Sequence, residues 1–319
     1  MASKRDFEQA YRKAKKIKHK GLRNTFITLI VIVAVATFFF PVINEYLVDI
    51  FPDEVITTTV AEGTAEVHFI DVGQGLSILV KGKDKNILYD AGEAEAAPVI
   101  VKYLKSQNVD TIDYFFASHP HSDHIGGCRG VMKEIETKNF IMCDLKESMV
   151  PTTVTYKKLL QMLNDNKDIT TSHIAKVGDT YDLGGGLIAE VIGPIKLYDD
   201  LNESSIVLEV RFGDVSFLLT GDMEKGSEKD MAQAGVLHPV TVLSAGHHGS
   251  STSINRDFME KIDPEYSVIS CGLDNKYGHP HKETIELYNK MGIKYYRTDK
   301  QGTIKAVTDG KTVTFTTEK

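Results

Sequence analysis

Cysteine is scarce. Cys128, Cys143 and Cys271 are the only three in 319 residues, too few for a disulfide framework. Cys128 directly follows a histidine-rich run, but it reads as a small buried thiol rather than a ligand. There is no internal repeat and no low-complexity block, which excludes solenoid and disordered architectures. Positive charge is outnumbered by negative charge outside the N-terminus. Residues 1–25 carry nine Lys/Arg against Asp6 and Glu8, a net of +7, which leaves −14 for the rest. An acidic body argues against bulk electrostatic binding of nucleic acid, although a local basic strip or a bound metal can still hold a phosphate.

One long apolar run is present. Phe26 to Asn44 contains Ile27, Leu29 to Val33, Val35 and Phe38 to Phe40, with no charge before Glu45. That is close to the ~20 residues of a spanning helix. Every basic residue of the N-terminus precedes it, so the positive-inside rule puts residues 1–25 in the cytoplasm and the body outside. A cleaved signal peptide is the rival, because Ala34-Val35-Ala36 resembles a cleavage site, yet the apolar run continues past it. The expected organisation is a basic cytoplasmic segment (1–25), a single transmembrane helix (26–46), a stalk (47–64) and a hydrolase domain (65–319). The chain is expected at the cell membrane, single-pass, with the domain extracytoplasmic and no protein partner evident. No further channel-like run follows, so a complete transporter is not expected.

From Ala65 onward short apolar strands alternate with turns and helices. Strands are expected at Glu66 to Asp71, Ser77 to Val80, Asn86 to Tyr89 and Tyr114 to Ala117. Later ones are expected at Leu187 to Ile192, Ser205 to Arg211, Val215 to Leu219, Val240 to Ser244 and Tyr266 to Ser270, and three more close the chain. Helices are expected near 97–104, 131–135, 156–163, 224–234 and 282–291. Strands in two batches with helices between them suggest an α/β fold, a four-layer αββα sandwich.

The chemistry concentrates in Ser118-His119-Pro120-His121-Ser122-Asp123-His124-Ile125-Gly126-Gly127. Three histidines and one carboxylate fall within six positions, directly after an apolar strand. His119 and His121 can face one side of an extended loop, and Pro120 stiffens the link. Asp123 and His124 lie where the chain must turn, so four ligands from one loop suggest two neighbouring metals. Imidazole and carboxylate suit Zn, Mn or Fe. Asp222 ends the strand Phe217 to Leu219, where a carboxylate can bridge two metals. His247 and His248 follow the strand at Val242, and His279 lies in Gly278-His279-Pro280-His281. Asp71 and Asp90 also sit at strand ends, with Asp90 suited to orienting a ligand.

These stretches, in this order, resemble the metallo-β-lactamase superfamily, and in particular its ComEC-type branch. They are His68 to Gly75, Tyr89 to Gly92, Ser118 to Gly127, Asn202 to Leu208, Leu219 to Glu224, Gly246 to Ser250 and Tyr277 to Pro280. The resemblance implies the αββα fold with two divalent ions, Zn or Mn, at one edge of the sheets. It implies metal ligands at His119, His121, Asp123, His124, Asp222 and one of His247 and His248, the other meeting the substrate. Asp71, Gln74, Asp90, Ser204 and Ser205 are expected to orient ligands or meet substrate, and Asp123, His248 and His279 to be catalytic. Many relatives have an additional histidine for the first metal between the loop and Asp222; here the only histidine in that interval is His173, in a poor context, with the Asn202 to Ser205 segment in the corresponding place. The activity implied is hydrolysis of a phosphodiester, with a nucleic-acid end as the substrate that fits the branch, by a hydroxide shared between the metals. The alternatives are a phosphorylcholine-type small phosphodiester and a non-catalytic domain in a surface assembly. β-Lactam hydrolysis fits the branch-specific segments poorly.

Overall fold

The computed structural model describes residues 63–319. The basic segment, the apolar run and most of the stalk lie outside the described residues. No helix among the described residues is long and apolar enough to cross a membrane.

The strands are β1 (Ala65–Phe69), β2 (Ile78–Lys81), β3 (Asn86–Tyr89), β4 (Thr111–Ala117), β5 (Glu136–Met142), β6 (Thr171–Ile174), β7 (Thr180–Asp182) and β8 (Ile188–Gly193), then β9 (Val207–Phe212), β10 (Val215–Leu219), β11 (Val242–Ser244), β12 (Tyr266–Ile269), β13 (Lys294–Arg297), β14 (Ile304–Thr308) and β15 (Val313–Thr317). They form an eight-stranded sheet, β15-β14-β1-β2-β3-β4-β5-β6, and a seven-stranded sheet, β13-β12-β11-β10-β9-β8-β7. Each sheet joins an antiparallel part to a parallel part. Strands β3 to β6 run parallel, as do β10 to β13. Parallel neighbours need crossovers. The helices α1 (Ala97–Ser106), α2 (Ser122–Ile125), α3 (Cys128–Glu134) and α4 (Val154–Asp165) serve the first sheet. The second is served by α5 (Lys225–Ala234), α6 (Arg256–Ile262) and α7 (Lys282–Met291).

The burial pattern defines four layers. Val67, Tyr89, Phe116, Leu208, Phe217 and Val268 pack between the sheets. Leu88, Ile100, Phe115, Val131 and Leu159 lie between the first sheet and its helices. Leu218, Met231, Leu243, Phe258 and Tyr288 do the same for the second. Both faces of β4 are therefore covered, with Phe116 in the central layer and Phe115 in the outer one. A strand buried on both faces reads as a continuous apolar run rather than an alternating one, as Tyr114 to Ala117 does. Each large side chain so buried contributes about 1.5–3 kcal/mol.

The architecture is the expected α/β sandwich of two sheets. The strands β5, β6 and β7 and the helices α2 and α6 were not expected from the sequence. Strand β5 alternates exposed and buried residues only in its first half and carries charge at Glu136 and Lys138.

Candidate metal centre

The carboxyl ends of the parallel strands of both sheets meet along one edge. In open α/β sheets this is where ligands gather. Strand β4 delivers Ser118 to His121 there, and α2 adds Asp123 and His124. Strand β10 delivers Asp222 through Gly221, whose φ is +53°. A side chain at Gly221 would fall 2.9 Å from Ser118 Cβ, so only glycine lets the two loops approach. After β11, His247 and His248 both hold left-handed backbone, with φ of 46° and 55°. That conformation is costly for histidine and persists only where its surroundings enforce it.

Two groups of ligand atoms result. Asp123, His124, Asp222 and His248 form one; His119, His121 and Asp222 form the other, and within each group the ligand atoms lie within 4.8 Å of one another. Asp222 is common to both. Its Oδ1 lies 3.1 Å from His124 Nε2 and 3.6 Å from His248 Nε2, while its Oδ2 lies 3.8 Å from His119 Nε2. The other ring nitrogens are tied down. His124 Nδ1 donates to Asp90 Oδ2 (2.7 Å), and His248 Nδ1 donates to Ser270 O (2.9 Å). In the neutral rings these bonds assign the tautomer that leaves a lone pair on each Nε2.

The residues fit divalent ions. His124 Nε2, His248 Nε2 and Asp222 Oδ1 are buried atoms without a hydrogen bond of good geometry. Two imidazole lone pairs and a carboxylate oxygen facing one point repel unless a cation lies among them. Burial and the charge of His124 hold the His119 imidazole well below its usual pKa, the neutral form that a metal needs. Burial opposes ionisation of Asp222, but the His124 and His248 charges outweigh it and hold the carboxyl well below the usual range. Burial likewise opposes protonation of His124, and the Asp222 and Asp90 carboxylates outweigh it, so its pKa stands well above the ordinary value. Metal and proton therefore compete for that nitrogen.

Three residues expected at the site stand differently. His247 belongs to neither group. Its Nδ1 is held 2.9 Å from Glu224 Oε1, and its Nε2 faces the cavity 3.6 Å from Asp222 Oδ2. His248 is thus the member of the pair that joins the ligand cluster. Asp71 does not line the cavity: its carboxylate accepts from Gly73 N and meets Lys319 Nζ at 3.3 Å. Ser204 donates to Asp200 O and shapes its own loop. The first group holds no third imidazole, in keeping with the histidine that the sequence lacks.

Gln74, Asp90, Ser205 and His279 do reach the site. Asp90 is fully buried and also accepts from Ser118 N (2.7 Å) and Ser118 Oγ (2.6 Å). Ser205 Oγ accepts from Asp222 N (3.1 Å) and lies 3.3 Å from His119 Nδ1. Gln74 and His279 line a cavity of about 340 Å³ with His121, Asp123, Asn202, Asp222, His247, His248 and Tyr277. Gln74 Oε1 accepts from Gly272 N, which leaves its buried Nε2 without a partner. Burial and the neighbouring His248, His247 and His281 bring His279 down to about 4, so it is neutral at pH 7. Sequence reasoning missed Ser118, Asn202, Glu224 and Tyr277. Ser118 and Glu224 were legible as chain neighbours of the ligands His119 and Asp222, and Tyr277 as a neighbour of His279. Asn202 Nδ2 donates to Glu224 Oε1 (3.2 Å), a link that only the fold makes.

Comparison with known proteins agrees with this geometry. Residues 70–272 match the model of the metallo-β-lactamase superfamily. ComE operon protein 3 of Bacillus subtilis (strain 168) is 28% identical over 259 residues, covering 75% of this chain and 32% of its own. Competence protein ComA of Neisseria gonorrhoeae is 33% identical over 250 residues, covering 77% and 33%. The chain thus spans about a third of the length of these curated relatives. Among solved structures, the metallo-β-lactamase fold protein YhfI from Bacillus subtilis superposes with a TM-score of 0.51 at 12% identity, covering 76% of this chain and 99% of that one. At that identity the likeness concerns the fold alone. With the superfamily match running from β1's end past the last ligand loop, and with these relatives, the chain belongs to the metallo-β-lactamase superfamily, in its ComEC-type branch.

Proposed function

We propose that this protein is a metal-dependent phosphodiesterase, held at the outer face of the cell membrane by one N-terminal helix. The observation that carries the hydrolase reading is the shared carboxylate of Asp222 between two groups of ligand atoms. Two divalent ions, Zn or Mn, would supply there Lewis-acid charge and a water of lowered pKa. His119, His121 and Asp222 would hold one, and Asp123, His124, Asp222 and His248 the other. Asp90 fixes the ring of His124, and the Ser270 carbonyl fixes that of His248. Gln74 Nε2 is a free donor for a non-bridging phosphate oxygen. His279, neutral at pH 7, offers a hydrogen bond at the leaving oxygen rather than a positive charge. His247, buttressed by Glu224, presents Nε2 to the cavity and contacts the phosphate.

The superfamily consists generally of metal-dependent hydrolases, and a relative named as a competence protein supports a nucleic-acid substrate. The anchor rests on the charge-free run of 26–44 behind nine basic residues. The test is a panel on the full chain with Mn or Zn, offering single strands, duplex, bis-para-nitrophenyl phosphate, phosphorylcholine esters and β-lactams. Phosphodiester hydrolysis that a chelator abolishes is expected. Full activity in a metal-free Asp222→Ala protein would overturn the mechanism. Absence of turnover with every metal would favour a non-catalytic partner domain.

A further inference from the structure

One wall of the metal cavity has no task in the hydrolysis. Tyr277 lines that cavity with 51% of its surface exposed. Its ring lies nearly parallel to His279 (centroids 5.6 Å apart, 21°), and His279 lies nearly parallel to His248 (6.0 Å, 29°). Three rings therefore step from the rim to the ligand cluster. The loop is braced. Asn275 Nδ2 donates to Gly272 O (2.9 Å) and His279 O (2.6 Å), and Asn275 Oδ1 accepts from His279 N (3.0 Å). An exposed aromatic on a braced loop loses little freedom on contact, which suits a binding surface. Leu273 on the same loop is 71% exposed, and Lys276 Nζ stands 4.9 Å from the Tyr277 ring centroid.

We infer that the loop of Leu273, Lys276 and Tyr277 is a subsite for an unpaired nucleic-acid strand, an inference that rests on the phosphodiesterase reading of this centre. A base stacks against Tyr277 while the scissile phosphate lies at the metal centre. The adjoining phosphate meets Lys276. The same cation repels a trimethylammonium group, which disfavours a choline ester as occupant. A duplex keeps its bases inside the helix, out of reach of a ring at the rim. The charge of −14 beyond residue 25 sets the character of the binding: stacking supplies the affinity, and the salt dependence is shallow.

The experiment follows a dye-labelled short phosphorothioate oligothymidylate by anisotropy, with the metal-loaded full chain. Single strand should bind at least ~10-fold tighter than duplex, and Tyr277→Ala should weaken it roughly 5- to 150-fold, the range of one base–aromatic stack. Tyr277→Phe should keep most of the affinity. Lys276→Ala should lower the salt slope by about 0.7, the value of one phosphate contact on a single strand. Glycerophosphocholine should not displace the strand. Unchanged binding in Tyr277→Ala, equal affinity for duplex, or displacement by glycerophosphocholine would each overturn the subsite. Hydrolysis of bis-para-nitrophenyl phosphate by the unaltered chain separates the two levels. Its absence removes the phosphodiesterase reading and the subsite with it; its presence beside unchanged strand binding in Tyr277→Ala removes the subsite alone.

Discussion

Asp90 touches no cavity, yet it fixes two side chains at once. It accepts from His124 Nδ1 and from the Ser118 hydroxyl, which lies 3.1 Å from His119 Nδ1. Burial raises its pKa, against the pull of His124 and Ser118, so the carboxylate depends on those bonds. Asp90→Asn should lower metal affinity about 10- to 100-fold, the usual cost of losing a partner behind a metal ligand, while the fold survives; calorimetric metal titration and circular dichroism check this. Asp222→Ala should reduce bound metal in both groups, measured by elemental analysis. The ligand loop was legible because its spacing is chemical: His119, His121, Asp123 and His124 lie within one short stretch. The choice between His247 and His248 was not legible. It depends on which ring finds Ser270 O and which finds Glu224, partners that lie 22 and 23 residues away.

Elements bring these side chains together through close backbone contacts. The loop before α3 docks on the turn after β3, with Ala91 N donating to His124 O and Gly127 N to Gly92 O. A Cβ at Gly127 would fall 2.0 Å from Ala91 O. Gly127→Ala should therefore destabilise by about 1–3 kcal/mol, as overpacking does, and shift His124; denaturant titration and metal affinity report the two effects. Helix α5 carries a different liability. Glu228 is 2% exposed, and burial pushes its pKa up to about 8 from 4.5. An acid whose folded pKa is raised opposes folding once it ionises. Stability is fully present below pH 4.5 and falls as pH rises to 8, by at most about 5 kcal/mol. Glu228→Gln should be more stable than the parent at pH 8, with the difference vanishing near pH 4.5, in urea titrations at both values. Strands such as β4 were legible from their apolar runs. The edge strands β6 and β7 were not, since β6 is exposed throughout and carries no buried pattern to read.

At the scale of the molecule, αββα layering follows from apolar periodicity, because two sheets and two sets of helices are the way to cover so many half-apolar faces. The pairing of particular strands does not follow from it. Strand β1 lies between β2 and β14, a contact across most of the chain that no local pattern encodes. The ligands inherit this division. His119, His121, Asp123 and His124 descend from the eight-stranded sheet, Asp222 and His248 from the seven-stranded one. Between the sheets Tyr89 Oη donates to Ile206 O (2.6 Å), and Ile206 N donates to Ser118 O (2.9 Å). Ions held by ligands from both sheets would therefore clamp two half-molecules, and their binding energy would become cohesion. At a metal concentration of 100 times the dissociation constant the gain is about 2.7 kcal/mol. Chelation should lower the unfolding temperature and quicken proteolysis at the seam, even in a variant that has lost turnover. A protein clamped in this way would owe its lifetime to the supply of metal around it.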